Sequence, residues 1–335
     1  MQLIDGVIGL WRREGEVQLG ADPRLAVVLE GLSPAQQRAL DVLGRQRVGS
    51  TAQLARLARG SVRETRALLE RLWRAHVLEE PPRGLASVTR APTVSPLRRL
   101  ARRDDAERRQ RQAASVAVVG GDALGLAIAR LLVQSGVGTV GVVDDGPVLA
   151  GDVGVLGYRT GDVDQRREVA AVAHLRHARA DVRVRVPDRP DVVVLVENRV
   201  ALPLRSAGLV TGDVPHLSVV RRELDVVVGP AVRPGRDACL RCLDLHRRDA
   251  DACWPAIATQ LAVAPRPHLE PGALVTAAGV ACSTVAVMID DPDGDGGGAP
   301  WAVSAEVGAG EVARRRWAPH PECGCGAQDG APAGS

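Results

Sequence analysis

The sequence predicts an α/β protein: a Rossmann-like, mostly parallel sheet preceded by a small α+β module of winged-helix kind. Three observations carry this. The stretch Ser115–Asp145 reads strand, glycine turn, helix, strand, acid, which is the dinucleotide-type βαβ unit. Strand and helix patterns then alternate down to about residue 232, as a parallel sheet covered on both faces requires. Near the N-terminus, short strand patterns precede three helix starts of capping-box spelling.

Within the βαβ unit, Ser115–Val119 is a valine-rich run of strand length, followed by Gly120-Gly121-Asp122-Ala123-Leu124-Gly125. Leu124, Ala127, Ile128, Leu131 and Leu132 recur at helical spacing, Gly136 and Gly138 suit the helix end, and Thr139–Val143 is a second strand closing on Asp144. A helix over 163–179 follows, then strands 181–186 and 191–196, a helix over 199–209, and strands 216–220 and 225–232. Right-handed crossovers place the ends of Val119, Val143 and Val196 on one sheet edge, where a nucleotide would sit.

A chain of 335 residues accommodates two domains. With no Phe and one Tyr, its cores must be built from Val, Leu and Ala, which suits buried parallel strands. The absence of lysine excludes a catalytic lysine. A net charge of +3 demands no acidic partner, and neither a signal peptide nor an 18-residue apolar run is evident, so a cytoplasmic protein without membrane contact is expected. The expected organisation is a recognition module over 1–80, a Pro/Arg-rich connector over 81–114, the α/β domain over 115–326, and a disordered tail over 327–335.

In the module, strands are expected over 7–13, 16–19 and 25–29, helices over 34–43, 51–58 and 62–75, and a returning strand over 76–80. Ser33…Gln36, Ser50…Gln53 and Ser61…Glu64 are the three caps. The third helix carries Arg63, Arg66, Arg71 and Arg74. It could enter a DNA groove, flank a peptide added to the edge of 25–29, or simply be solvated. Glu64 and Glu70 on the same helix weigh against DNA. For a peptide, the contact residues expected from geometry are Val27, Leu29, Arg66 and Leu69. The arginines of the connector alternate with Asp104, Asp105 and Glu107 and lack interleaved aromatics, so they read as a solvated helix and not as a nucleic-acid site.

Cys239-Leu240-Arg241-Cys242 and Cys323-Gly324-Cys325 each offer two thiolates. Together they make a closed, structural four-cysteine zinc site, with His246 and His320 as possible substitutes. Cys253 and Cys282 read as bystanders.

The order GG-x-x-LG, VVDD, PGR-x-x-CLRC and a final C-x-C resembles the ThiF/MoeB adenylyltransferases, relatives of the ubiquitin-activating enzymes, over about 115–326. With WRR-x-GEVQLG in front and CLRCLDLHRRD later, the whole chain looks closest to ThiF-like leader-peptide-binding proteins of thiazole/oxazole-modified peptide clusters. The resemblance implies that the winged helix grips the leader of a ribosomal precursor peptide and presents it to a YcaO-type cyclodehydratase. It also implies a possible homodimer. It places the nucleotide on Gly120, Gly121, Gly125, Asp144 and Arg167. The chain departs from the family there: Asp122 and Ala123 replace glycines, the family's Asn, Arg and Lys fall near Asp152, Val155 and Arg167, and Glu197-Asn198 stands where a metal-handling aspartate belongs. A carboxylate about 4 Å from a phosphate oxygen costs roughly 4 kcal/mol at an effective dielectric of 20. The expectation is therefore a vestigial site for ATP and Mg²⁺ in a non-catalytic scaffold. The alternatives are an active adenylyltransferase working on a carboxylate and a winged-helix DNA-binding regulator.

Overall fold

The computed structural model describes residues 1–4, 7–21, 26–79, 105–293, 301–308 and 312–327. Most of the connector and the C-terminal tail named above lie outside these residues. The chain divides into two compact units, Met1–Arg108 and Arg109–Ser335.

In the first unit, strand β1 (Gln2–Leu3) is followed by β2 (Gly9–Arg13), β3 (Glu16–Leu19) and β4 (Val27–Leu29), which form an antiparallel sheet in the order β2-β3-β4. Helices α1 (Pro34–Arg45), α2 (Thr51–Leu57) and α3 (Val62–Arg74) come next, and β5 (Leu78–Glu79) returns to pair with β1. All three helices start on the expected serines. Ser33 and Ser61 form complete capping boxes with Gln36 and Glu64. At α2 the box is open: Ser50 accepts from the Gln53 amide, but the Gln53 side chain accepts from Gly49 N–H instead of the cap. The apolar faces close on one core, with Leu43, Leu54, Leu68 and Leu72 fully buried against Val17 and Leu19 of β3.

The second unit opens within helix α4 (Asp105–Ala113). The βαβ element then runs through β6 (Ser115–Val119), α5 (Ala123–Gln134) and β7 (Thr139–Val143). It continues with α6 (Arg167–Ala178), β8 (Arg183–Val184), β9 (Val192–Asn198), α7 (Pro203–Thr211), β10 (His216–Arg221) and β11 (Val226–Val232). Three helices follow, α8 (Leu240–Ala250), α9 (Trp254–Val263) and α10 (Pro271–Asp290), then β12 (Val303–Val307) and β13 (Val312–Arg316).

The eight-stranded sheet has the order β13-β12-β11-β10-β9-β6-β7-β8. Pairing is parallel from β10 through β9, β6 and β7 to β8, and antiparallel from β10 outward to β13. The change of sense follows from chain length. Arg222 to Asp225 is enough for a hairpin, closed by Arg222 N–H to Asp225 O at 2.8 Å, but far too short for a crossover helix.

Helix α10 corrects the expectation that no stretch is long and apolar enough to cross a membrane: over Pro271–Asp290 its mean hydropathy reaches 2.0. Its Ala277, Ala281, Val285 and Met288 are buried in the main core, where the helix packs against α5 and β11. The uniform hydrophobicity serves interior packing. Its C-terminal Asp290 accepts from Arg111 Nε of α4 at 2.7 Å, a buried pair that ties the start of the unit to its longest helix.

Candidate functional site: the glycine turn and the cysteine cluster

The glycine turn sits at the C-terminal sheet edge, between the ends of β6, β7 and β9, as the crossovers require. Gly120 adopts φ +97°, and a Cβ there would lie 2.4 Å from Val196 O. A Cβ on Gly125 would lie 1.9 Å from Gly120 O. Gly125 is demanded by the turn's own packing and Gly120 by its positive φ and its contact with β9, whatever the turn binds.

The rest of the turn is closed by side chains. The Asp122 carboxylate caps α5, accepting from Leu124 N–H at 3.0 Å and Gly125 N–H at 3.2 Å. These are the amides a phosphate would use at a helix N-terminus. The same carboxylate pairs with Arg221 at the end of β10, at 2.9 Å, and lies 3.5 Å from Arg266. Asp144 accepts from Gly121 N–H at 2.7 Å and Gly146 N–H at 2.9 Å, and meets Arg167 at 3.2 Å. Asp152 is fully buried. It accepts from Arg167 at 2.9 Å, from Leu149 N–H at 3.0 Å and from Arg266. Burial by itself would raise the Asp152 carboxyl, but the Leu149 amide and the Arg266 guanidinium outweigh it and hold it below the usual carboxylate range. Tyr158, buried beneath, donates from its hydroxyl to Gly121 O at 2.6 Å, and burial pushes its phenol up.

Three aspartates thus face three arginines in one cluster, with Asp122, Asp152 and Arg221 buried and Asp144, Arg167 and Arg266 half-buried. It carries no surplus positive charge with which to meet a triphosphate. Of the residues expected at a nucleotide, Gly120, Gly121, Gly125, Asp144 and Arg167 do converge, but Asp144 and Arg167 are engaged with each other and with the loop. Val155 stands apart, 96% exposed. Arg221 and Arg266 were not evident from sequence. The one clue was that Arg221 ends a strand at the functional edge. Arg266, in the segment between α9 and α10, carried no local signal.

Glu197 lies on the same edge, opposite Val220 in the β9–β10 register. Both of its carboxylate oxygens lie 3.3 Å from Leu202 N–H. Burial drives its carboxyl up to about 7, against the Leu202 amide and Arg205. Its protonated form is therefore well populated near neutral pH.

The four cysteines meet at the start of α8. Cys239 Sγ lies 3.9 Å from Cys242 Sγ and 3.6 Å from Cys323 Sγ, and Cys242 lies 3.6 Å from Cys325. All four sulfurs fall within 4.8 Å of one another. A tetrahedral ion with metal–sulfur bonds of about 2.3 Å holds its sulfurs about 3.8 Å apart, so the set fits such an ion. Cys239, Cys242, Cys323 and Cys325 could hold a metal ion such as zinc, with no fifth donor needed. The histidines are not substitutes. His320 bonds Asp249 at 2.8 Å through Nε2 and accepts Glu322 N–H through Nδ1, while His246 Nε2 lies 3.0 Å from Ala318 O. His320 braces the second cysteine turn through its carbonyl, which accepts from Cys323 N–H at 2.9 Å.

In the first unit, two of the expected peptide contacts are core residues. Leu29 and Leu69 are 4% and 5% exposed, because both belong to the faces that close the module, so their side chains cannot meet a peptide. Val27 is half-buried and Arg66 exposed. Arg66 shares a helical stripe with Val62 and Trp73, whereas Arg71, on another flank of α3, donates to Glu30 O at 2.9 Å, just past the end of β4.

Comparison with known proteins agrees with this architecture. Residues 95–192 match the model of the ThiF family. No curated protein matches the chain. Among solved structures, E. coli MccB with ATP is similar at TM-score 0.65 and 14% identity, over 97% of this chain and 98% of that one. The microcin C7 biosynthetic enzyme MccB in complex with N-formylated MccA is similar at 0.66 and 14%, over 97% and 99%. PaaA is similar at 0.61 and 16%, over 92% and 97%. The chain is thus similar to the ThiF family over residues 95–192, and similar in fold to MccB and PaaA over most of its length.

Proposed function

We propose that this chain is a leader-peptide-binding scaffold: its first unit captures a ribosomal precursor peptide for a separate YcaO-type cyclodehydratase, and its ThiF-type unit no longer uses ATP. The observation that carries the reading is the neutral cluster of Asp122, Asp144 and Asp152 with Arg167, Arg221 and Arg266, which occupies the amides and guanidinium groups a nucleotide would need. The likeness to MccB, solved with a peptide, supports a peptide partner. Strand addition is the mode the first unit favours. Among the described residues, β4 pairs only with β3, leaving its other edge open, and Arg71 bonds Glu30 O just past its end. Val28, at 41% exposure, replaces Leu29 as the side chain available on that strand.

In this reading the metal is zinc and structural, the protein is cytoplasmic, and the ThiF-type unit mediates a homodimer. The test is isothermal titration of the full chain with Mg·ATP alongside pyrophosphate exchange. No binding below millimolar and no exchange are expected. Micromolar binding with carboxylate-dependent exchange would instead establish an active adenylyltransferase, the reading that MccB's complex with ATP favours. A YcaO gene beside a short open reading frame with a Cys/Ser/Thr-rich tail is the expected genomic setting. Salt-sensitive binding of random duplex DNA would point to a regulator.

A further inference from the structure

A cavity of about 30 Å³ lies between α8 and strands β10, β11 and β12, with Arg199, Ser218, Arg222, Asp244, Arg247 and Glu306 among its lining residues. Most of its charges are already matched. Arg222 pairs with Asp225 at 2.6 Å and with Glu306 at 3.4 Å. Asp244 accepts from Trp254 Nε1 at 2.7 Å and from Arg241 at 3.1 Å. Arg199 pairs with Glu223 and donates to Pro265 O at 2.6 Å. Two groups are left over. Arg247 has the Trp254 ring, 5.0 Å from its guanidinium carbon, but no carboxylate partner among the described residues. Burial and the neighbouring Arg222 lower its pKa, against the pull of Asp244 and Glu306. Ser218, 1% exposed on β10, has a hydroxyl with no hydrogen-bond partner among the described residues. Arg247 is half-buried and feels the Asp244 and Glu306 carboxylates without forming an ion pair with either, whereas a buried hydroxyl without a partner, as at Ser218, is costly by itself. Both groups line the same small space.

We propose that this cavity is a carboxylate subsite, in which Arg247 and Ser218 together hold one carboxylate head group. A planar guanidinium matches two carboxylate oxygens, and the hydroxyl adds a third donor. The volume admits such a head group and excludes a nucleotide. With the Asp244 and Glu306 carboxylates on the same wall, a monoanion fits better than a phosphate dianion. The carboxylate could belong to an acidic side chain, to the C-terminus of a peptide, or to a free small acid. The subsite stands whether or not the first unit binds a leader.

The experiment is isothermal titration of the full chain, in chloride buffer of constant ionic strength, with three probes: acetate, a capped Ala-Glu-Ala tripeptide, and an N-acetylated tri-alanine with a free C-terminus. Saturable one-to-one binding of at least one probe is expected, and which one binds identifies the source. Arg247→Met should weaken it about tenfold or more, and Ser218→Ala by a smaller factor of several. Arg247→Lys should retain part of the affinity. Ser218→Ala removes only an oxygen, so it keeps the test informative if Arg247→Met misfolds. Failure of every probe to saturate, or binding indifferent to both Ser218→Ala and Arg247→Met, overturns the proposal.

Discussion

Replacing Asp122 with alanine is the perturbation that most directly separates a structural turn from a ligand site. In the folded protein this carboxylate does two things. It caps α5 through the Leu124 and Gly125 amides, and it neutralises Arg221, whose side chain is 4% exposed against 7% for Asp122. Losing the cap costs about 1 kcal/mol. Removing one partner of a buried ion pair costs roughly 3–5 kcal/mol, because the surviving charge stays desolvated. Arg221 is poorly placed to absorb the loss, since its Nε already lacks a partner among the described residues and burial lowers its pKa against the pull of Asp122. The expected destabilisation is therefore about 4–6 kcal/mol. The double variant Asp122→Ala/Arg221→Met should cost only about 1–2 kcal/mol, mostly the cap. Native-state hydrogen exchange of the α5 and β10 amides is the suitable assay, since it reports the second unit by itself. A cost below about 1 kcal/mol for Asp122→Ala, or a double variant no more stable than the single, would refute the view that the turn is locked by its own charges.

Three further outcomes are expected. Cys242→Ser, or a strong chelator, should release one equivalent of metal and loosen the segment from 317 to 326, read by metal analysis and by exchange of its amides; no bound metal in the purified protein would remove the basis for this. Glu197 titrates at about 7 instead of 4.5, so folding retains a proton that unfolding releases. Stability should fall by about 3 kcal/mol as pH rises from below 4.5 through 7, and Glu197→Gln should flatten that slope in urea titrations at several pH values. A leader peptide added to β4 should protect the amides of Val27–Leu29 from exchange, and Arg71→Ala should weaken its binding several-fold in fluorescence anisotropy, whereas Leu69→Ala should mainly lower stability, by about 2–5 kcal/mol.

Local sequence determined the elements and much of the site's outline. The serine caps fix where α1, α2 and α3 begin, because a cap is a contact between residues three apart. The need for glycine at 125 is equally local, since a Cβ there would strike Gly120 O, whereas at Gly120 the collision is with Val196 O of the distant strand β9. The C-x2-C and C-x-C spacings announced two half-sites that needed only to meet, and the substitution of Asp122 into the turn already argued against phosphate. Tertiary structure alone decided what those residues do together. Asp122 meets arginines from the end of β10 and from the α9–α10 segment, and no local pattern records which distant guanidinium will reach a given carboxylate. The same limit placed Leu29 and Leu69 in the core although their periodicity allowed a surface role, because the boundary between a buried face and an exposed flank is set by the neighbours that cover it. It also made the uniformly apolar Pro271–Asp290 an interior helix, since hydrophobicity measures the preference to leave water, and only packing shows what surface it leaves water for.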